Sequence, residues 1–408
     1  MRSVRIVVAG AGVAGAIVAR GLSGLDGVEV ISLEQAAEGD QSQAGTGLNV
    51  GPNAIKALNL HMPDLARTVT EASIPWRRWT IDLTDGQRLF DLDLLDVADN
   101  PGIRIRWAEL YRLLRQDLAI RYGVAATGTE LQGDGRLRVH ATSPWGAEAE
   151  IADVDLLIAA DGRYSGIRRQ LVGPTEPFQL GISMYRVLIP QGPDCPIDDY
   201  GQWFNGPNRL LAFTIPGGHV YCAGTFPIES EDGTIPDRMK APEVLGNLYL
   251  PAHSPPSREA AFLIEGIVDR VHEIHWARAQ EDEIMYSVPG WPVLFIGDAS
   301  HPMIPTLGQG ATQAVEDACC VVNHLLTALA RMDPLARLPS EIDRIRHERV
   351  RFVMDFSREA SDTMLSGADP LSGSLAKLEP GFQDKLRRLY REVPPAAQAA
   401  HGLSGCRA

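Results

Sequence analysis

Val4-Arg5-Ile6-Val7-Val8-Ala9-Gly10-Ala11-Gly12-Val13-Ala14-Gly15 is the stretch that decides the fold. Its first six residues form an apolar run of strand length, and the glycines follow at once. Residues 16–22 read as a helix and 28–33 as a second strand ending in Glu34. The whole is a βαβ unit with the pattern G-x-G-x-x-G and an acid 19 residues beyond the last glycine. Gly10 makes the tight turn, Gly12 lets a pyrophosphate approach the backbone, and Gly15 lets helix and strand pack closely. The helix start at Val13 and Ala14 presents N–H groups and a positive dipole end to phosphates. Glu34, followed by Gln35, accepts a hydrogen bond from a ribose hydroxyl. The unit predicts an adenine dinucleotide and does not separate NAD from FAD. Arg2 and Arg5 ahead of the apolar run imitate a secretory leader, but the patterned glycines assign the run to the fold.

The 408 residues predict two to three domains. Hydrophobic content of 45% and charged content of 22% exclude disorder as the main state. A net charge of −14 argues against nucleic-acid binding, and no apolar run is long enough to span a membrane. Cys195, Cys222, Cys319, Cys320 and Cys406 fit neither a zinc site nor a disulfide framework, which predicts a reducing, cytoplasmic setting. Only Lys56, Lys240, Lys377 and Lys385 are lysines, so 34 of the 38 basic residues are arginine. Codon bias explains most of them, and a few are candidates to clamp carboxylates or phosphates.

Along the chain, residues 46–53 read as a strand ending at Pro52, where a helix to Leu60 begins. Residues 79–83 and 88–92 read as a hairpin around Asp85-Gly86. Residues 107–122 read as an amphipathic helix, with Leu110, Leu113, Leu114 and Leu118 on one face. Strands are predicted over 136–141, 148–151, 156–160, 181–190, 210–215, 220–225 and 291–296. Long helices follow over 309–330 and 339–364, then a loop over 369–380, a helix over 381–391 and a frayed tail over 394–408. A β-rich block thus interrupts the strands of an α/β sheet. The fold class expected is α/β, a Rossmann-like dinucleotide-binding domain with an inserted mixed or antiparallel (α+β) sheet domain. The binding domain is expected over 1–75, 96–175 and 276–340, the inserted domain over 76–95 and 176–275, and a helical region over 341–408.

Two further segments carry chemistry. One is Ala160-Asp161-Gly162-Arg163-Tyr164-Ser165-Gly166-Ile167-Arg168. The other is Gly297-Asp298-Ala299-Ser300-His301-Pro302-Met303-Ile304-Pro305-Thr306-Leu307-Gly308-Gln309-Gly310. An acid at a strand's C-terminal end, as Asp298 is, sits where open α/β sheets bind ligands and suits a ribitol hydroxyl. Gly308-Gln309-Gly310 opens a long helix whose dipole favours negative charge. With the glycine fingerprint, these segments resemble the three signatures of the single-component FAD-dependent aromatic hydroxylases, the family of para-hydroxybenzoate hydroxylase. The resemblance runs over roughly residues 1–365. It implies non-covalent FAD, NADH or NADPH bound transiently without a Rossmann domain of its own, and O₂. It also implies hydroxylation of an electron-rich aromatic or N-heteroaromatic ring through a flavin C4a-hydroperoxide. It assigns FAD contacts to Leu48, Arg106, Asp161, Asp298, Pro305 and the run Gly308, Gln309, Gly310, Ala311 and Thr312. Relatives often carry Asn where Thr312 stands. The resemblance also implies a role for Asp161-Gly162 in pyridine-nucleotide use, and the residues themselves allow a reading of Asp161 as a strand-end turn before a helix that Ser165 caps. Arg104, two residues before Arg106, is the alternative for the phosphate-facing role. The arginine that relatives often carry just after the ribose acid is missing from Glu34-Gln35-Ala36-Ala37-Glu38.

On the substrate side, Asn49 is a candidate beside the flavin. Arg186 is a candidate for a domain interface or a substrate carboxylate, and His219 or Tyr221 for a phenolic proton. Leu211, Phe213 and Trp203 are candidate pocket walls, Pro305 lies near the reacting face, and His301 structures its turn. The substrate expected is a single-ring hydroxy acid of the salicylate, 3-hydroxybenzoate or 6-hydroxynicotinate kind, and the protein a monomer or homodimer. Competing readings are a same-fold epoxidase, or a decarboxylating or ring-opening enzyme on a larger metabolite. An NAD-dependent dehydrogenase and a non-enzymatic flavin binder also compete. A flavin halogenase is disfavoured because Trp76-Arg77-Arg78-Trp79 lacks that class's tryptophan motif and has no lysine nearby.

Overall fold

Val4–Ala9 lies at the centre of a five-stranded parallel sheet, ordered Val293–Phe295, Leu156–Ala159, Val4–Ala9, Val28–Glu34 and Ile120–Tyr122. Its unbroken apolar run reflects cover on both faces, as parallel strands require. Ile6 and Val8 face a core shared with the helices Val13–Leu22 and Gln309–Arg331. Val7 and Ala9 face the three antiparallel strands Ala125–Leu131, Leu137–Thr142 and Glu148–Val154. This computed structural model describes residues 3–39, 46–143, 145–176, 178–228, 234–361 and 369–394.

A second, seven-stranded sheet is ordered His275–Glu281, Phe178–Pro190, His219–Pro227, Asn208–Ile215, Tyr200–Asn205, Arg78–Leu83 and Arg88–Asp93. Its neighbours are antiparallel except Tyr200–Asn205 beside Arg78–Leu83, so the sheet is mixed. Its first edge strand runs past the boundary expected at residue 275. One face turns toward the core of the parallel-sheet part, and the other is covered by the helices Pro242–Asn247 and Arg258–Asp269. The chain is thus α/β, with a Rossmann-like part and a mixed sheet interleaved in sequence. A small sheet of Gly47–Val50, Gly102–Arg106 and Ile74–Trp76 lies at the junction.

Arg104 fastens that junction. It is 3% exposed, and its Nη1 donates to Thr214 Oγ1 at 2.9 Å and to the Asp198 carbonyl. Its Nε and Nη2 donate to the Pro75 carbonyl at 3.2 and 2.9 Å, with Asp199 Oδ1 at 3.4 Å. The guanidinium of Arg104 is consumed here and is not available for the phosphate-facing role.

Two expectations are corrected. The helix read over 107–122 stops at Arg115. Asp117 turns the chain at φ 59°, and Ile120–Tyr122 joins the edge of the parallel sheet beside Val28–Glu34. Leu118 mimics the helical spacing but packs from outside the helix. The stretch read as a loop over 369–380 contains the helix Pro370–Ala376, capped by Asp369, whose carboxylate accepts the Leu371 and Ser372 N–H groups at 3.1 and 3.3 Å. The frayed tail read over 394–408 lies, apart from Pro394, outside the described residues, as does the end of the helix read over 339–364. Among the described residues no helix is long and apolar enough to cross a membrane.

Candidate functional site

The three glycines of the fingerprint do different things. A β-carbon at Gly10, whose φ is +92°, would lie 2.3 Å from the Ala160 carbonyl oxygen, and one at Gly15 would lie 1.9 Å from the Gly10 oxygen. Both are glycine because strand and helix pack tightly here. Gly12 has φ −67° and ψ −164°, which any residue adopts, and a β-carbon there would meet nothing within 4 Å. Space therefore lies in front of the Gly12 backbone, at the start of a helix.

That space belongs to a cleft of about 1720 Å³. Gly10, Gly12, Glu34, Gln35, Asp161 and Asp298 line its dinucleotide end, and Met184, Arg186 and Trp276 line the side formed by the seven-stranded sheet, with Pro305 also in the wall. The volume exceeds the roughly 300–1,000 Å³ of a single-ligand pocket. Val13, Ala14 and Ala311 turn their side chains elsewhere: Val13 and Ala14 are buried, and Val13 and Ala311 meet around an apolar spot with Val50 and Leu110. What these three offer a cofactor is backbone N–H.

Glu34 is buried and held. Its Oε2 accepts the Ala11 N–H at 2.9 Å and Arg115 Nη2 at 3.2 Å, and its Oε1 accepts the Ala36 N–H at 3.0 Å. Arg115 also donates from Nε to the Ala11 carbonyl at 2.7 Å and lies 4.5 Å from the centre of the Tyr111 ring. Arg115 supplies the cation missing after Glu34, from a different element. Trp107, Tyr111 and Arg115 all line the cleft, and they recur at i, i+4 and i+8, one stripe of the helix Trp107–Arg115. That spacing was the signal available in the sequence; reading only the leucine face of the helix missed it.

Asp161 forms the strand-end turn of its last reading. Its Oδ2 accepts the Gly166 and Ile167 N–H groups at 2.9 and 3.4 Å, while Ser165 Oγ accepts the Arg168 N–H at 2.9 Å. Its Oδ1 is buried without a partner, and burial raises the carboxyl above the usual carboxylate range. Arg106 Nε is likewise buried without a partner, at the start of the helix Trp107–Arg115, although Arg106 does not line the cleft wall.

Gly308, in the left-handed region at φ +64°, starts the helix Gln309–Arg331. A β-carbon there would lie 2.7 Å from Asn49 Nδ2, so Asn49 lies against this turn, while Leu48 packs against the core. Two expected cofactor side chains are spent internally. Thr312 Oγ1 accepts the Gly51 N–H at 2.9 Å and donates to the Gly308 carbonyl at 3.0 Å. Gln309 is fully buried, its Oε1 accepting from Asn53 Nδ2 and Gln313 Nε2, each at 3.1 Å. At these two positions only the backbone remains available to a cofactor.

A fully buried charged cluster stands behind the Asp298 turn. Asp317 Oδ2 accepts the Gly297 N–H at 2.9 Å and His301 Nε2–H at 2.7 Å. Its Oδ1 accepts Arg346 Nε and the Tyr286 hydroxyl, each at 2.8 Å. Arg346 also donates to Glu316 Oε2 at 2.8 Å and Gln313 Oε1 at 2.7 Å, and Arg349 reaches Glu316 Oε1 at 3.1 Å. Burial alone would raise both carboxyls. His301 and Arg346 outweigh it at Asp317, and Arg349 and Arg346 at Glu316, so both end below their usual range. His301 thus structures its turn, as expected.

On the seven-stranded sheet, strand pairing places Met184, Thr225, Arg209 and Phe204 in one row, Arg186, Ala223, Leu211 and Gln202 in the next, and Leu188, Tyr221, Phe213 and Tyr200 in a third. By alternation all of these point toward the parallel-sheet part. One expected residue does not. Trp203 belongs to the opposite face and packs with Leu210, Leu245 and Leu263, because its strand is buried on both sides and shows no alternation to read. His219 sits at the sheet's end, its Nδ1 2.8 Å from the Gly217 carbonyl of its own turn. Tyr221 packs against Phe213 with ring centres 4.8 Å apart and the rings tilted by 31°, and burial raises its hydroxyl above the ordinary tyrosine value while Arg186 and Arg209 pull it back.

No family model matches the chain. A 3-amino-4-hydroxybenzoate 2-monooxygenase of Streptomyces platensis is 32% identical over 383 residues, covering 87% of each chain. The chain belongs to the FAD-dependent aromatic-ring monooxygenases. A 3-hydroxybenzoate 6-hydroxylase of Aquipseudomonas alcaligenes is 27% identical over 372 residues, covering 88% of each. The crystal structure of Klebsiella pneumoniae HpxO with FAD and uric acid shares the fold at a TM-score of 0.74 and 23% identity, covering 94% of this chain and 93% of that one. The residues of this monooxygenase fit FAD: open space before Gly12, the unpartnered Asp161 Oδ1 and Arg106 Nε, and Asp298 in the cleft wall. The dehydrogenase and non-enzymatic readings are set aside.

Proposed function

We propose that this monooxygenase uses NADH or NADPH and O₂ to hydroxylate a small, single-ring aromatic acid next to a hydroxyl or amino group. One observation supports the reading above others. A single cleft joins the dinucleotide end to a sheet face where the side chain of Arg186 has neither a hydrogen bond nor an ion pair among the described residues. FAD, when bound, supplies the electron transfer and oxygen activation. The parallel-sheet part holds it: Gly12 and the helix start at the pyrophosphate, Glu34 with Arg115 at the adenosine, Asp161 and Arg106 along the phosphates, and Asp298 at the ribitol. Gly308–Gly310 and the dipole of the following helix favour negative charge on the reduced ring.

The seven-stranded sheet carries the substrate. Leu211, Phe213 and Met184 exclude water from the reacting ring, and Asn49 and Pro305 flank it on the cofactor side. Tyr221, held neutral by its raised pKa, donates a hydrogen bond to the substrate's oxygen or nitrogen and is no general base near neutrality. Tyr221→Phe is expected to lower kcat/KM by roughly three- to tenfold, the worth of one neutral hydrogen bond. The pH profiles of variant and wild type should run parallel below pH ~10, and a wild-type inflection that the variant removes would refute the role. The function itself is tested with salicylate, 3-hydroxybenzoate, 6-hydroxynicotinate and 3-amino-4-hydroxybenzoate. At least one is expected to accelerate NAD(P)H oxidation and yield hydroxylated product in place of H₂O₂. Acceleration only by a multi-ring substrate would contradict the single-ring reading.

A further inference from the structure

The Gly308 N–H donates to the Pro305 carbonyl at 3.0 Å, closing a turn whose first residue lies in the cleft wall. The helix Gln309–Arg331 starts from that turn. A β-carbon at its second residue, Gly310, would lie 3.9 Å from Asp298 Oδ1, so the helix start sits at the cleft. The N–H groups of a first helical turn have no acceptor within the helix, so what they meet depends on how the turn is aimed. The Gln309 side chain holds this turn from behind, its Nε2 donating to the Leu307 carbonyl at 3.3 Å.

An amide holds a carbonyl only with its nitrogen turned toward it. In Gln309 that orientation is set by Oε1, which accepts Asn53 Nδ2 and Gln313 Nε2, each at 3.1 Å. Those two side chains are amides as well and could point either way. Glu316 decides for both. Its Oε1 accepts from the same Asn53 Nδ2, and from the same Gln313 Nε2 at 3.0 Å. A carboxylate can only accept, so both nitrogens must face it. Asn53 complies although its own Oδ1 is then left buried without a partner. Gln313 complies with its Oε1 taking Arg346 Nη2 at 2.7 Å. All four side chains of this relay are fully buried. Burial opposes the charge on Glu316, and Arg349 and Arg346 outweigh it and keep the carboxylate ionised.

We propose that Glu316 is a positioning residue for the flavin. Through Asn53 and Gln313 it fixes the Gln309 amide, and through that amide the Leu307–Gly310 backbone offered to the cofactor. The assignment rests on the FAD-dependent reading above and adds a residue that touches neither cofactor nor substrate. A helix start aimed at the flavin favours its reduced, anionic form over the oxidised one. Loss of aim therefore lowers the flavin's midpoint potential, a quantity that fold stability alone does not move.

The test is a double-mutant cycle on the FAD-loaded enzyme, read by redox titration against a reference dye and by thermal unfolding. Glu316→Gln keeps the side chain's shape but can donate as well as accept, which frees the amides to turn. Its preference for reduced over oxidised FAD should fall about tenfold, the worth of one hydrogen bond to a charged group. That is a midpoint potential about 30 mV lower for a two-electron couple. Gln309→Met, which lacks the amide, should show the same drop. The double variant should go no lower than Gln309→Met alone, although its unfolding temperature falls further. The proposal is overturned if Glu316→Gln lowers the unfolding temperature and leaves the potential unmoved, or if the two drops add. Should Glu316→Gln not fold, Asn53→Leu takes its place in the cycle, with the same expected drop and the same refutation. A wild type that takes up no FAD would end the flavoprotein reading and this proposal with it. A flavin-loaded wild type whose potential these variants do not change ends this proposal alone.

Discussion

Gly12→Val is expected to give a folded but colourless protein whose dissociation constant for FAD has risen by about 10²–10⁴-fold. The figure is the worth of two hydrogen bonds to a charged phosphate, at roughly 1.5–3 kcal/mol each. The argument rests on contrast within one motif. Valine at Gly10 or Gly15 would collide with backbone at 2.3 or 1.9 Å, so those variants lose the strand–helix packing and the cofactor together. At Gly12 the backbone is ordinary and the space empty, so the branched side chain enters only the room a pyrophosphate would take. Circular dichroism should match the wild type while flavin fluorescence after gel filtration shows no retained cofactor. A variant that keeps its FAD would mean that the pyrophosphate lies elsewhere.

Arg346→Met should produce the largest loss of stability. The side chain is fully buried between Asp317 and Glu316, and removing it leaves two carboxylates close together without their central cation. Breaking such a buried pair costs about 3–5 kcal/mol, read as a lower urea midpoint. Neutralising all three groups, in Glu316→Gln, Asp317→Asn and Arg346→Met combined, should recover most of that loss. A triple variant as weak as the single one would contradict the electrostatic account. The pH dependence has a definite sign. Both carboxyls have folded pKa values below their ordinary 4.5 and 3.8, so their contribution is complete above those values and is lost as pH falls below them. The wild type should therefore lose more stability between about pH 4.5 and pH 2 than the triple variant does. Because Asp317 also holds the Gly297 N–H and His301, Asp317→Asn should loosen the turn that presents Asp298, and FAD affinity should fall with it.

The cofactor half of the site was legible because its chemistry lies in local motifs. The fingerprint with Glu34, Asp161 after one strand and Asp298 after another each place a ligand-facing group at the end of a strand of the parallel sheet. The misreadings have physical causes. Leu118 continues a helical spacing, but sheet pairing of Ile120–Tyr122 outweighs it, a tertiary preference that no local pattern carries. Tyr200–Asn205 is buried on both faces, so Trp203 could not be assigned to a side by alternation. Thr312 and Gln309 stand in the right motif, but their side chains close internal hydrogen bonds, which depends on Gly51 and Asn53 brought from far along the chain. Arg115 matters because of what surrounds it in space, and it lies in no recognisable motif.

The most direct test of the whole account is one turnover experiment under ¹⁸O₂. The enzyme, loaded with FAD, is given NAD(P)H and the aromatic acid that most strongly stimulates its oxidation. The account predicts one ¹⁸O atom in the ring of the product for each NAD(P)H consumed, with little H₂O₂. Stoichiometric H₂O₂ without ring oxygenation, or product oxygen drawn from water, would contradict it.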